Sequence, residues 1–170
     1  RCWTNALVQA LDAALSQDAR VINLSLGGPP DPLVARYAAL AVEKGRLLVA
    51  AAGNGGPLAQ PTYPAALPEV IAVTAVDVND RLYMQATRGD FIDVAAPGVD
   101  IVSPSPLRTY PVLSGTSMAA AHVSGAAALL LQLAPTASVD ALRTALVDRA
   151  ADLGPAGRDE PPGLQAVDRW

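Results

Sequence analysis

Four short apolar runs constrain this chain more than any other feature: "RVINLSL" at 20–26, "RLLVAAA" at 46–52, "VIAVTAV" at 70–76 and "FIDVAAPG" at 91–98. Each has the length and the β-branched character of a buried strand. Buried strands need helices on both faces, and the stretches between the runs provide them. After Thr4 or Asn5 as a cap, Leu7, Val8, Leu11, Ala14 and Leu15 recur at helical spacing. "DP" at 31–32 supplies a cap and a first-turn proline for a second helix, with Leu33, Tyr37, Leu40 and Ala41 on its inward face and Gly45 as its stop. Residues 116–133 read as a long apolar helix ended by Pro135, and Ser138 caps a last amphipathic helix through Leu142, Leu146 and Val147. "TYPVLSG" at 109–115 is expected to be an edge strand, because Pro111 cannot donate to a ladder. The tail after Gly154 reads as a Pro- and Gly-rich loop. Repeated crossings of this kind predict an α/β fold with a mainly parallel sheet between helices.

Length and charge narrow the function classes. With 170 residues, 51% of them hydrophobic and 16% charged, there is material for one core and none for a second domain. A formal charge of −4 without a basic run argues against nucleic acid as a partner. The apolar run at 119–131 is broken by His122 and Ser124 and falls short of the roughly 20 residues a bilayer requires, so it reads as a buried helix, not a membrane span. Cys2 is the only cysteine and has no internal disulfide partner. Arg1 opens the chain without a start methionine, which reads as the boundary of a fragment.

Two loops lie at the carboxyl ends of predicted strands, where open α/β sheets place ligands: "AAAGNGG" at 50–56 and "LSGTSMA" at 113–119. The first fails as a dinucleotide fingerprint, since Leu58 stands where a third glycine is required. Asn54 as an amide donor opposite Ser117 at a strand-to-helix turn suits acyl transfer, which needs a hydroxyl nucleophile and donors for the developing oxyanion. His122, the single histidine, is not the base for Ser117. Five residues along a helix is a rotation of roughly 140° and a rise of about 7.5 Å, which turns the ring away from the hydroxyl. It reads as a packed histidine with one ring nitrogen satisfied.

Five segments, "VINLSLGG", "VAAAGNGG", "YPAALPEVIAVTAVD", "DVAAPG" and "SGTSMAAAHVSGAAALL", in that order, resemble the carboxyl-terminal part of the catalytic domain of a subtilisin-like serine peptidase. The resemblance implies a three-layer α/β domain and an endopeptidase acting on polypeptides. Ser117 would be the nucleophile, with Asn54 and the Ser117 N–H as oxyanion donors. Ser25, Leu26 and Gly27 would pair with substrate backbone; Ala51, Ala52 and Gly53 would wall the primary pocket, with Thr62 near its floor. Tyr63–Pro64 matches a cis peptide position. The general base and its carboxylate would come from sequence upstream of Arg1, so residues 1–170 are expected to form a partial domain that is inactive and poorly folded alone. No cofactor is required for the chemistry. A structural calcium or sodium ion is implied at Asp93 with the carbonyls of Ala65, Leu67 and Val70, although a surface carboxylate is the simpler reading of Asp93 by itself. The family also implies secretion or a cell-envelope location.

Departures from the family pattern are informative. Ala121 stands where proline is usual and restores an N–H that faces the Ser117 carbonyl, which could shift the nucleophile. "MQATRG" at 84–89 replaces the usual aromatic-serine segment and leaves that loop's contacts open. Asp77, Asn79 and Asp80 read as a turn. Trp3 and Trp170 are expected to pack on sequence beyond the chain, and Asp168 and Arg169 to be solvated. Two alternatives remain: an inactive relative that binds extended peptides by strand addition, and a purely structural module.

Overall fold

The computed structural model describes residues 4–153 and 165–166. The four apolar runs become β1 (Val21–Leu24), β2 (Leu47–Ala51), β3 (Val70–Val76) and β4 (Val94–Pro97), each parallel to the next. β2 and β3 are buried along their whole length, which is why they carry no polar alternation. Three more strands are two-residue pieces: β5 (Ile101–Val102), β6 (Val112–Leu113) and β7 (Ala151–Asp152). With β8 (Gln165–Ala166), the main sheet runs β1-β2-β3-β4-β8-β7, and β7 alone is antiparallel in it. Among the described residues nothing pairs with the outer edge of β1.

Alternate side chains of the sheet enter two apolar layers. Leu47, Val49, Ile71, Val73, Ala75 and Val94 pack against α3 (Thr116–Leu133) and α4 (Val139–Val147). Leu48, Ala50, Val70 and Ala72 face α1 (Thr4–Leu15) and α2 (Pro32–Glu43). This is the three-layer arrangement expected. Asp31 caps α2, its Oδ1 accepting from the N–H groups of Leu33 and Val34 at 2.9 and 3.2 Å. The far end of α2 closes on Gly45 at φ +71°, with Gly45 N–H donating to Val42 and Arg46 N–H to Ala41, a double bond pattern that requires a left-handed residue. Ser138 caps α4 by accepting from Ala141 N–H at 3.1 Å.

Several expectations are corrected. In α2 the inward residues are Val34, Ala38 and Ala41, while Leu33 is 50% exposed and Tyr37 and Leu40 sit at the margin. Small side chains let the helix approach the sheet closely, which turns Leu33 out by one position. Thr4 is a helical residue whose hydroxyl donates to Asp31 Oδ2 at 2.9 Å, so it joins α1 to the start of α2. "TYPVLSG" contributes β6 not to the edge of the main sheet but to a separate antiparallel ribbon with β5. The tail holds β8, which inserts between β4 and β7. By length and apolar composition α3 could cross a membrane. Here its Ala119, Ala120, Val123, Ala126 and Ala127 are buried on the sheet, as in a core helix, while Leu129 and Leu133 are exposed. Cys2, Trp3, Asp168, Arg169 and Trp170 lie outside the described residues.

Candidate active site

Ser117 is the second residue of α3, at the end where unpaired amides and the helix dipole favour negative charge. The neighbouring amides are engaged: Gly115 N–H donates to Gly98 at 2.7 Å, Thr116 N–H to Asn54 Oδ1 at 3.0 Å and Met118 N–H to Gly115 at 3.0 Å. Among the described residues neither the Ser117 N–H nor its hydroxyl has a hydrogen-bond partner.

Asn54 follows the end of β2. Its Oδ1 also accepts from the Thr116 hydroxyl at 3.2 Å, while that hydroxyl's oxygen accepts from Gly53 N–H at 3.1 Å. Two donors on Oδ1 fix which way the amide points, so the NH₂ group is the end left for a ligand. A Cβ built on Gly115 would lie 3.0 Å from Asn54 Nδ2. With φ +153° as well, position 115 takes glycine both for its backbone and for the space the amide occupies. One residue, Thr116, thus ties Asn54 to the turn that carries Ser117. Thr116 is fully buried and was not singled out by the sequence; the "GT" directly before Ser117 is the signal that could have found it.

Thr87 was missed as well, and it settles the contacts of the "MQATRG" loop. Its N–H donates to Gly53 at 2.9 Å, its Oγ1 accepts from Gly55 N–H at 3.4 Å, and Gly56 N–H donates to Gln85 at 2.9 Å. Buried Thr87 therefore holds the Asn54 loop from behind. Nothing in the structure explains Arg88.

The cleft residues fall into two groups. Ser25 and Gly27 are exposed and Leu26 half-buried, just past β1. Ala51 and Ala52 are buried; the side chain of Ala51 belongs to the core beneath α3, so these two offer no side chain to a cleft. Thr62 sits between the groups. Its hydroxyl donates to Ala52 at 2.9 Å, and Cβ atoms built on Gly27 or Gly53 would each meet it at 3.1 Å. Tyr63–Pro64 is cis, and Tyr63 exchanges two backbone hydrogen bonds of 2.9 Å with Gly28. Beyond Leu26 and Gly27 opens a cavity of about 380 Å³ lined also by Leu7, Val34 and Tyr63, with Thr4 and Asp31 at its polar side. The Asp31 carboxyl is held below the usual aspartate range, first by the Thr4 hydroxyl and then by the Val34 N–H.

The implied cation site does not fit the residues present. Asp93 Oδ1 accepts from Arg143 Nη2 at 2.7 Å, and its Oδ2 accepts from Ala72 N–H at 2.8 Å. Arg143 Nη1 donates to Val70 and Pro68 at 3.3 Å each, and the Leu67 carbonyl accepts from Val70 N–H at 3.0 Å. Of the four groups the family pattern names, Arg143 engages Asp93 and the Val70 carbonyl, so a guanidinium supplies the positive charge that a calcium or sodium ion would bring. Among the described residues no three His, Cys, Asp or Glu gather as a metal site. His122 is exposed rather than packed, with Nδ1 donating to Met118 at 3.0 Å, and so directs its bonded nitrogen into its own helix. Asp77 does close the predicted turn, its Oδ1 accepting from Asn79 and Arg81 N–H at 2.8 and 2.9 Å.

The structure thus combines a parallel α/β sheet, Ser117 at a helix start and an asparagine amide fixed by the adjoining Thr116. Residues 1–164 match the family model described as the subtilase family, and the chain belongs to that family. It is 42% identical over 154 residues to subtilisin DY of Bacillus licheniformis, an alignment that covers 88% of this chain and 56% of that protein. It is 37% identical over 163 residues to the minor extracellular protease Epr of Bacillus subtilis, covering 95% of this chain and 25% of Epr. Among solved structures it superposes on the S41 psychrophilic protease with a TM-score of 0.88 at 30% identity, covering 97% of this chain and 63% of that one. The chain spans about half the length of subtilisin DY.

Proposed function

We propose that this chain is the nucleophile-bearing part of a serine endopeptidase, which cleaves peptide bonds through an acyl-enzyme on Ser117. The observation that carries the reading is the pair of unengaged donors beside an unengaged hydroxyl: the Ser117 N–H and the Asn54 NH₂, the latter oriented by two hydrogen bonds to its own oxygen. As the Ser117 oxygen attacks a carbonyl, negative charge moves onto the carbonyl oxygen. Donors already fixed in place stabilise that charge without reorganising. The base that takes the Ser117 proton and the carboxylate that orients it belong to sequence outside this chain. His122 is no substitute, since five residues along α3 turn it roughly 140° and carry it about 7.5 Å away from Ser117.

Polypeptide is the substrate this cleft suits. Ser25 to Gly27 follow β1 at the sheet edge, with Ser25 and Gly27 exposed, where substrate backbone can add as a strand. Thr62 offers a neutral surface between Gly27 and Gly53, and the cavity beside Leu26 accepts an apolar side chain. Secretion is the location that fits, as the name of Epr states for that relative.

The full-length protein, treated with a fluorophosphonate probe and digested, should carry the adduct on the peptide containing "SGTSMA", and Ser117→Ala should abolish both label and turnover. Turnover should fall about 10⁶-fold, the size seen when subtilisin's own nucleophile is removed. A folded protein that stays unlabelled yet binds extended peptides would replace this reading with that of an inactive peptide-binding relative.

A further inference from the structure

We infer that Asn23 and Ser124 are positioning residues for the nucleophile; this rests on the assignment of Ser117 above. The Ser117 carbonyl accepts from the Ser25 hydroxyl at 3.0 Å. Ser25 has one hydrogen to give, so having donated it, its oxygen must accept. It does, from Asn23 Nδ2 at 2.9 Å. That bond sets the Asn23 amide with Oδ1 outward, where it accepts from the Ser124 hydroxyl at 3.0 Å. Ser124 lies two helical turns past Ser117 and also approaches the Ala120 carbonyl at 2.9 Å, so its single hydrogen is shared between the two acceptors.

The chain of bonds therefore leaves α3 at Ser124, crosses to β1, passes through Ser25 and returns to α3 at Ser117. It closes a loop across the seam between strand and helix. Ser25 stands at both of its functions: its main chain belongs to the segment that pairs with substrate, and its side chain holds the nucleophile's carbonyl. With alanine at 121, the carbonyl also faces a helical N–H and keeps its place in the ladder. The hydroxyl chain then governs the sideways position of the first turn. Asn23 and Ser25 are exposed, so water competes and each link contributes at the low end of the hydrogen-bond range.

The test is the second-order rate of fluorophosphonate labelling at Ser117 in the full-length protein, with kcat and KM on a peptide substrate and Tm. Ser124→Ala and Asn23→Ala should each slow labelling and lower kcat roughly two- to fivefold with KM unchanged. Ser124→Thr, which keeps the hydroxyl, should restore the rate. Alanine is the better helix former, so Ser124→Ala should hold or raise Tm while it slows acylation, a split of signs that a merely structural role would not give. Equal labelling rates in parent, Ser124→Ala and Asn23→Ala would overturn the inference while leaving Ser117 as nucleophile. A parent protein that never labels would overturn the assignment of Ser117 and the positioning role with it.

Discussion

The two ends of the parallel sheet are built from different chemistry. At the amino ends of the strands, long cationic side chains gather carbonyl oxygens. Arg20, just before β1, donates to Gly45 past the end of α2 and to Pro135 and Ala137 past the end of α3, at 3.1, 3.0 and 2.6 Å. Arg46, just before β2, donates to Gln17 past the end of α1 at 2.8 Å, while its buried Nε has no partner among the described residues. Arg143 reaches from α4 to the start of β3 and to Asp93 before β4. At the carboxyl ends, around Ser117, the side chains are short and neutral: Ser25, Asn54, Thr62, Thr87 and Thr116. The ion pair at that end, Asp77 with Arg81 at 2.8 Å, only closes the turn after β3.

The difference follows from what each end must satisfy. The carboxyl ends of α1, α2 and α3 all lie near the amino ends of strands, and the loop carbonyls just past those ends, of Gln17, Gly45, Pro135 and Ala137, are collected by guanidinium groups several at a time. A reacting carbonyl instead needs donors that stay unspent until charge develops. A guanidinium there would bind the ground state as readily, which lowers KM without raising kcat. Stability should therefore reside at one end and rate at the other.

Three substitutions test that division, in order of expected size. Asn54→Leu should lower kcat by roughly 10²–10³, a figure measured on subtilisin itself, with little change in Tm or KM. A large loss of Tm instead would show that the Asn54–Thr116 bonds serve packing, and the division would fail at the site. Arg20→Met should lower stability by about 2–3 kcal/mol, since three carbonyls lose a charged donor, and thermal melts should show it as a drop in Tm at unchanged kcat. A fall in kcat would mean that strain at the amino end reaches Ser117. Arg143→Met should be milder, about 1–2 kcal/mol, because the ion pair is partly solvated. Added calcium or sodium should then stabilise the variant more than the parent at fixed ionic strength, as Asp93 and the Val70 carbonyl become free to take a cation. An equal ion response in the two proteins would show that Arg143 does not stand in the ion's place.

Much of this was legible in the chain itself because it is local. Strand runs, the Asp31 and Ser138 caps and the Gly45 stop are decided within a few residues, by steric limits and by side chains reaching their own backbone. That the Asn54 and Ser117 loops lie at strand ends could be read from their motifs, and the structure joins the two loops through Asn54 and Thr116. What only tertiary structure decided are contacts between distant residues. Arg20 meets carbonyls 115 and 117 positions away, Arg143 meets Asp93 across 50, and Ser124 meets Asn23 across 101. No periodicity encodes such partners. The same holds for the face of α2, where close packing of Ala38 and Ala41 on the sheet overrode the larger Leu33, and for the tail strand β8, whose two residues pair only because β4 offers a free edge. Local sequence fixes φ, ψ and caps through neighbours a turn away; which donor finds which acceptor depends on the three-dimensional arrangement that brings the elements together.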